Sequence, residues 1–233
     1  PTRPFSRTTY PSMDSIAPMK LFLDSADKSA IIKRFETGLI SGVTTNPTLI
    51  FKGGYHPQQV YRELVRADIK DISMEITADT AREFFERAVN HSKAYGDAAT
   101  IKLPCSKEGL SACKQLNKLN IRTNITLVFS VSQAILAALA GATYISPFIG
   151  RMDDNSLEGL SLIHDIAEVY KQQYVKTQIL AASVRDVQSV GKAFELGADI
   201  CTIPPKVFDN MYNHILTDKG LEQFNEHANS TES

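Results

Sequence analysis

Residues 93–102 read Lys93-Ala94-Tyr95-Gly96-Asp97-Ala98-Ala99-Thr100-Ile101-Lys102, a helical stretch that stops at a glycine and passes at once into a short apolar run. The same arrangement recurs at residues 138–146 (ALAGATYIS) around Gly141 and at residues 194–202 (FELGADICT) around Gly197. Glycine readily adopts the backbone conformation that ends a helix, and an apolar run directly behind it suits a parallel strand buried on both faces. Outward from these stretches, short apolar runs alternate with longer helical patterns from Lys20 onward. The strand candidates are Lys20–Asp24, Gly42–Thr45, Asp71–Glu75, Ala98–Lys102, Arg122–Thr126, Thr143–Ser146, Thr177–Ala181 and Asp199–Thr202. Eight βα repeats in roughly 200 to 250 residues match a closed (β/α)8 TIM barrel better than an open doubly wound sheet of five or six strands.

The chain therefore divides into residues 1–18 and one barrel domain over residues 19–233 that ends in a helical tail. Residues 1–18 are rich in proline, serine and threonine and poor in apolar side chains, a composition that builds no core. They are read as a disordered extension or a cloning remnant ahead of a natural start at Met19. Because Arg3 and Arg7 precede any acid, a short targeting peptide is the alternative.

Hydrophobic residues make up 43% and charged residues 22%, the balance of an ordinary folded protein. Lys and Arg number 25 against 26 Asp and Glu, so no broad positive field is available for nucleic acid or an anionic membrane surface, and neither partner is expected. Any anionic ligand must be held by a few local cations. Cys105, Cys113 and Cys201 form no CxxC pair and no even-numbered disulfide framework, which points to a reducing cytoplasm. No apolar run approaches the roughly 20 residues that cross a bilayer.

In a barrel of this kind the chemistry sits at the C-terminal ends of the strands. Those ends carry Asp24, Thr44 to Asn46, Glu75, Lys102, Asn124 and Thr126, Ser146 with Arg151 nearby, and Ser183 with Arg185. Lys102 closes an apolar run and is followed by Leu103-Pro104. Desolvation disfavours an ammonium, and a neutral amine is the form that attacks a ketone. Each candidate also has a plain structural reading. Lys102 can snorkel to water, Asp24 can cap a helix starting near Ala26, Asn46-Pro47 can be a turn, and Ser183-Val184-Arg185-Asp186 fits a capping box. A helix N-terminus after strand seven, with Arg185 in its first turn and Arg151 after strand six, would suit a phosphate.

The absences narrow the chemistry further. There is no GxGxxG, and Gly191-Lys192 lacks the upstream glycine of a P-loop. His56, His91, His164, His214 and His227 show no metal-ligand spacing and are expected at the surface; no metal and no cofactor is called for.

Six blocks together resemble the transaldolase family, in the order and spacing of its short subfamily, which also contains fructose 6-phosphate aldolase. They are Phe22-Leu23-Asp24, Gly42-Val43-Thr44-Thr45-Asn46-Pro47-Thr48, Ile101-Lys102-Leu103-Pro104, residues 124–130 (NITLVFS), residues 146–151 (SPFIGR) and Ala182-Ser183-Val184-Arg185. The resemblance implies a metal-free Schiff base between Lys102 and a donor ketose, fructose 6-phosphate or sedoheptulose 7-phosphate. It implies that Asp24 is the acid/base at the C4 hydroxyl, and that Glu75 and Thr126 hold a water for proton transfers at the imine. Thr45, Asn46, Asn124 and Ser146 would line the dihydroxyacetone site, and Arg151, Ser183 and Arg185 would grip the phosphate.

Two positions bear on the branch. Fructose 6-phosphate aldolases, which release free dihydroxyacetone, tend to carry Gln at the place of Glu75 and Tyr at that of Phe148; both residues here are of the transaldolase type. The expected reaction is transfer to glyceraldehyde 3-phosphate or erythrose 4-phosphate, with the aldolase as the alternative and a silent sugar-phosphate binder as a third reading. The intact Lys102, Asp24 and Glu75 argue against the last. Short members commonly form rings through C-terminal helices, so a homo-oligomer is expected, although the polar tail after about Asn213 departs from the family pattern.

Overall fold

The computed structural model describes residues 19–231; the expectations for residues 1–18 lie outside them. The elements run β1 (Lys20–Asp24), α1 (Lys28–Phe35), β2 (Gly42–Thr44), α2 (Pro47–Lys52), α3 (Pro57–Arg66), β3 (Ile72–Glu75) and α4 (Ala81–Tyr95). They continue with β4 (Ala99–Pro104), α5 (Lys107–Asn117), β5 (Thr123–Val128), α6 (Val131–Leu139), β6 (Tyr144–Pro147), α7 (Ile149–Asp153) and α8 (Gly159–Gln172). The last are β7 (Gln178–Ala181), α9 (Val187–Glu195), β8 (Ile200–Ile203), α10 (Pro205–Asn210) and α11 (Ile215–Thr231). All strand pairs are parallel, and β8 returns to β1, so the sheet is a closed eight-stranded barrel.

The local chemistry that starts and stops these elements is visible in single residues. Side-chain oxygens of Asp27, Thr80, Ser106, Ser130 and Asp186 accept backbone N–H groups at the starts of α1, α4, α5, α6 and α9, and Thr80 with Glu83 completes a reciprocal capping box. At the entry to β6, Gly141 has φ +82° and sits against Asn117; at the entry to β8, Gly197 has φ +104°, and a Cβ there would lie 2.5 Å from Ala167 Cβ. Both glycines thus serve a left-handed turn and a close approach together.

All eight expected strands are present, with ends shifted by at most two residues. β4 extends to Pro104 because Pro104 pairs with Thr126, and β5 extends to Val128, which pairs with Pro147 after a register shift. That shift is carried by Leu127, whose backbone is left-handed at φ +60°.

Alternation along the strands creates two cores. Outward residues such as Leu23, Val43, Ile72, Ile101, Ile125, Ile145 and Ile179 pack under the helices in one continuous cluster. Inside the barrel, Phe22, Tyr144, Leu180, Ala182 and Ile200 form a second, smaller cluster, with the rings of Phe22 and Tyr144 edge to face at 6.2 Å. Gly42 makes room for this filling, since a Cβ there would meet the Phe22 ring at 2.6 Å.

Below the apolar filling, at the N-terminal ends of the strands, Asp71 accepts hydrogen bonds from Thr100 Oγ1 (2.7 Å), Tyr144 OH (2.7 Å) and Arg122 Nη1 (2.9 Å). Burial and the adjoining Asp71 carboxylate raise the Tyr144 phenol well above its ordinary pKa. Among the described residues the three cysteines are unpaired, and no helix is long and apolar enough to cross a membrane. His56, His164, His214 and His227 are exposed, whereas His91 is half-buried, packed between the rings of Tyr61 and Tyr95.

Candidate active site

Opposite the Asp71 network, the C-terminal ends of the strands enclose a cleft of about 130 Å³ lined by Asp24, Thr44, Asn46, Lys102, Ser146, Phe148, Arg151, Ala182, Ser183 and Thr202. Lys102 is 5% exposed, and its stem fills barrel interior while its amine reaches the cleft floor. Nζ lies 3.1 Å from Glu75 Oε2 and donates to the Thr45 carbonyl at 3.2 Å. The snorkelling alternative is therefore corrected: the lysine is held inward by two acceptors. The register that brings Glu75 opposite Lys102 on adjoining strands makes this pairing a direct product of barrel stagger.

Asp24 ends β1 and accepts from Thr44 Oγ1 at 2.8 Å, while Thr44 Oγ1 and Thr202 Oγ1 are 2.6 Å apart. Since the Thr44 proton is given to Asp24, Thr202 must donate to Thr44, and the three groups form a directed chain. Burial raises the Asp24 pKa above the ordinary carboxylate range, against the opposing pull of Lys102 and the Thr44 hydrogen bond; the nearby Glu75 adds to the rise. Asp24 does not cap a helix, because Asp27 fills that role with a hydrogen bond from Ala30 N.

On β5, Asn124 donates to Ser73 Oγ (3.1 Å) and accepts from Ser146 Oγ (2.7 Å), which locks its amide orientation. Thr126, two residues further on, keeps its hydroxyl oxygen buried without a hydrogen-bond partner among the described residues. A buried polar atom without a partner is costly, so this hydroxyl marks a place where a small polar guest is favoured. Asn46 lines the cleft and also caps α2 through Leu49 N (2.9 Å). Thr45 is fully buried, and its hydroxyl donates to Ser73 O (2.9 Å), so only its backbone carbonyl serves the site. Phe148 packs edge to face on Phe129 and carries the Arg151 guanidinium 4.9 Å from its ring centre.

Two expectations after β7 need correction. Ser183 is not a helix cap; it holds a left-handed backbone with φ +58°, and Asp186 caps α9 through Ser189 N (2.8 Å). Arg185 therefore precedes that cap and is not in the first helical turn. Its guanidinium is engaged by both carboxylate oxygens of Asp154, and it lines a neighbouring crevice that shares Ser183 with the main cleft. The Arg185–Asp154 pair holds the Asp154 carboxyl below its usual range.

Lys102, Asp24, Asn46, Ser146, Phe148, Arg151 and Ser183 thus line one cleft, with Glu75 and Thr45 directly behind the amine, Asn124 hydrogen-bonded to Ser146, and Arg185 turned aside. Thr202 and Ser73 were missed from the sequence. Each is a polar residue in a buried apolar run, Ile200-Cys201-Thr202-Ile203 and Ile72-Ser73-Met74, and inward polarity was the signal that would have found them.

The fold and cleft define a closed parallel α/β barrel with a buried lysine and two carboxylates at the C-terminal ends of its strands. The chain belongs to the transaldolase/fructose-6-phosphate aldolase family, whose model matches residues 21–233. It is 48% identical over 206 residues to a protein of Caulobacter vibrioides named a probable transaldolase, covering 88% of this chain and 94% of that one. Proteins of the same name from Paracoccus denitrificans (46% over 207 residues, 89% and 95% covered) and Lactiplantibacillus plantarum (47% over 206 residues, 88% and 94%) are similar to a like degree. Among solved structures, a candidate fructose-1,6-biphosphate aldolase from Coccidioides immitis superposes with TM-score 0.57 at 16% identity, over 81% of this chain and 74% of that one. A flavocytochrome b2 mutant superposes with TM-score 0.56 at 14% identity, over 83% of this chain and 58% of that one. Two such different proteins share the barrel alone.

Proposed function

We propose that the protein is a transaldolase of the pentose phosphate type, which moves a dihydroxyacetone unit from a ketose phosphate to an aldose phosphate through a Schiff base on Lys102. The donor is sedoheptulose 7-phosphate or fructose 6-phosphate, and the acceptor glyceraldehyde 3-phosphate or erythrose 4-phosphate. The observation that carries this reading is the Lys102 amine held 3.1 Å from Glu75 in a cleft that Asp24 also lines.

In the proposed sequence the amine attacks the donor's C2 carbonyl, and loss of water gives the imine. Asp24 takes the proton of the C4 hydroxyl as the C3–C4 bond breaks; the electron pair passes to the enamine and the aldehyde leaves. Condensation with the acceptor reverses these steps, and water hydrolyses the final imine. The imine is the electron sink, so the chemistry calls for no cofactor. Glu75 and the unpartnered Thr126 hydroxyl suit a water that ferries protons at the imine carbon. Asn46, Asn124 and Ser146 offer polar contacts to the dihydroxyacetone hydroxyls.

The phosphate falls to Ser183 and Arg151, joined by Arg185 once the phosphate replaces Asp154 as its partner. On α11, Ile215, Leu216, Leu221 and Phe224 are all more than half exposed, an apolar surface that suits burial in a homo-oligomer. Three unpaired cysteines suit a reducing cytoplasm.

Borohydride reduction in the presence of fructose 6-phosphate, followed by peptide mass spectrometry, tests the mechanism. The expected adduct is on Lys102; an adduct on another lysine, or none from an active preparation, overturns it. Replacing Lys102 by Met should abolish turnover and leave the melting temperature near that of the wild type. Dihydroxyacetone release without an acceptor, as fast as transfer with one, would replace the transferase reading by the fructose 6-phosphate aldolase one.

A further inference from the structure

Three neighbouring strands carry the same pattern on their inward faces. In β8, β1 and β2 the first inward residues are Ile200, Phe22 and Gly42, which belong to the apolar filling or make room for it. Two residues further on stand Thr202, Asp24 and Thr44, all lining the cleft. Cys201 and Ile203, on either side of Thr202, face outward into the helix-covered core. The hydroxyls of Thr202 and Thr44 are 2.6 Å apart although β1 lies between their strands, and both residues are buried. Thr44 in turn is level with Asp24 in the β1–β2 register and donates to Asp24 Oδ1 at 2.8 Å.

An ionised carboxylate only accepts and each threonine hydroxyl has one proton, so Thr44 gives its proton to Asp24 and Thr202 gives its own to Thr44. The bond into Thr44 polarises the outgoing O–H and strengthens the second bond. Thr44 engages one carboxylate oxygen, which leaves Oδ2 for a proton from the substrate. Lys102 from β4 and Glu75 from β3 act on Asp24 through their charge, and Arg151 lines the same cleft. On α10, packed outside β1, Lys206 is exposed and Asp209 is paired with Arg34 of α1. The Thr44–Thr202 chain is thus the part of these surroundings that acts on the carboxylate through a directed hydrogen bond.

We propose that Thr202 is a positioning residue for the acid/base Asp24: by donating to Thr44 it fixes the direction of the chain, keeps Oδ1 an acceptor and reserves Oδ2 for the proton of the donor's C4 hydroxyl. The inference rests on the reading of Asp24 as the base in C3–C4 cleavage. In that step the C4 O–H proton passes to Oδ2, the C3–C4 electron pair moves into the enamine and the aldehyde leaves. Condensation returns the proton from Oδ2 to the new C4 hydroxyl. Without the Thr202 donor, Thr44 is short of a partner, and the protonated acid can turn its O–H toward Thr44 and away from the substrate.

Thr202→Val keeps the branched shape and removes the hydroxyl, whereas Thr202→Ser keeps the hydroxyl. Steady-state transfer from fructose 6-phosphate to erythrose 4-phosphate should show kcat lowered by about five- to tenfold in the valine variant, the scale of one lost hydrogen bond. KM should be nearly unchanged, and the acid limb of kcat/KM should move to higher pH, because a weakened chain stabilises the carboxylate less. Thr202→Ser should restore both the rate and the profile. Thr44→Val removes the bond to Asp24 itself and should shift both further in the same direction. In an Asp24→Asn background, Thr202→Val should leave the residual turnover as it is. An unchanged rate and profile in Thr202→Val overturns the positioning role. So does an equal loss in the valine and serine variants, or a loss of the same size in the Asp24→Asn background. A raised KM with kcat intact overturns it too, by making Thr202 a substrate contact. Full turnover in Asp24→Asn alone would instead remove the base reading itself, and this inference with it.

Discussion

The two ends of the barrel interior each hold a buried carboxylate network, and they are finished to different degrees. At the N-terminal end, Asp71 accepts from Thr100, Tyr144 and Arg122, and Arg122 also donates to the carbonyls of Lys70 and Asp97. At the C-terminal end, Lys102 and Glu75 pair beside Asp24, whose burial raises its pKa, and the Thr126 hydroxyl has no hydrogen-bond partner among the described residues. A network whose acceptors and donors are matched has settled into one state and contributes to rigidity. One that keeps a carboxylate against its solvation preference and a hydroxyl unpaired is less stable than it could be. Such a site can bind and exchange protons because its groups are not already committed to each other.

The largest separation between the two ends is expected from Asp24→Asn. Loss of the base should lower turnover by about 10²- to 10⁴-fold. In the wild type the acid limb of kcat/KM should lie above the ordinary Asp value of about 3.9, because the ionised form needed as base appears only above the raised pKa. The sign for stability runs the other way. A carboxyl that ionises more easily unfolded than folded costs the native state stability at pH above its unfolded pKa, so the asparagine variant should melt higher than wild type at pH 7 and no differently at pH 3. A variant that melts lower at pH 7 would show the site to be as settled as the opposite end.

Next comes Arg122→Met, which leaves the Asp71 charge without its cation. Breaking a buried pair costs about 3–5 kcal/mol, and the lower end is expected here because the Arg122 side chain is 32% exposed. Denaturant unfolding should report the loss, while kcat of the folded fraction stays within about twofold, as for substitutions away from reacting groups. A large fall in kcat would show that the lower network reaches the chemistry.

Phe148→Tyr adds a hydroxyl at the mouth, at a ring that by itself cannot hydrogen-bond a water. Release of dihydroxyacetone relative to transfer should rise by about tenfold, or ~1.4 kcal/mol in a barrier; an unchanged product ratio would discount that position. The smallest effect is expected at the exposed Arg185–Asp154 pair. Asp154→Asn should lower KM for phosphorylated donors by roughly two- to fivefold, the range of an exposed ion pair, and leave non-phosphorylated ketoses unaffected. Arg185→Ala should weaken phosphorylated donors selectively; equal losses on both substrate classes would assign Arg185 a structural role.

The barrel was legible because helix-ending glycines and double-sided strand burial leave marks within a few residues of each other, as at Gly141 and Gly197. Lys102, Glu75 and Asp24 were legible for a related reason: the strand end is a position in the sequence as well as in space. What stayed hidden depends on distance along the chain. Tyr61 sits on a helix pattern that predicts core packing, and nothing near it says that its hydroxyl lies 3.4 Å from the Thr45 hydroxyl, 16 residues back. Arg185 was placed in a helical turn because Ser183 and Asp186 both make good caps. The choice was decided by Ser183's left-handed backbone and by Asp154, which lies 31 residues away.

The apolar filling of Phe22, Tyr144, Leu180 and Ile200 separates these two ends, and it has a consequence for traffic. It fills the barrel beneath Lys102, so that among the described residues the amine faces the cleft at the C-terminal ends, which Phe148 and Arg151 also line. Under the proposed mechanism, a sugar phosphate seated in that opening would stopper the enamine beneath it, and the enamine's lifetime would be set by how long the mouth stays corked.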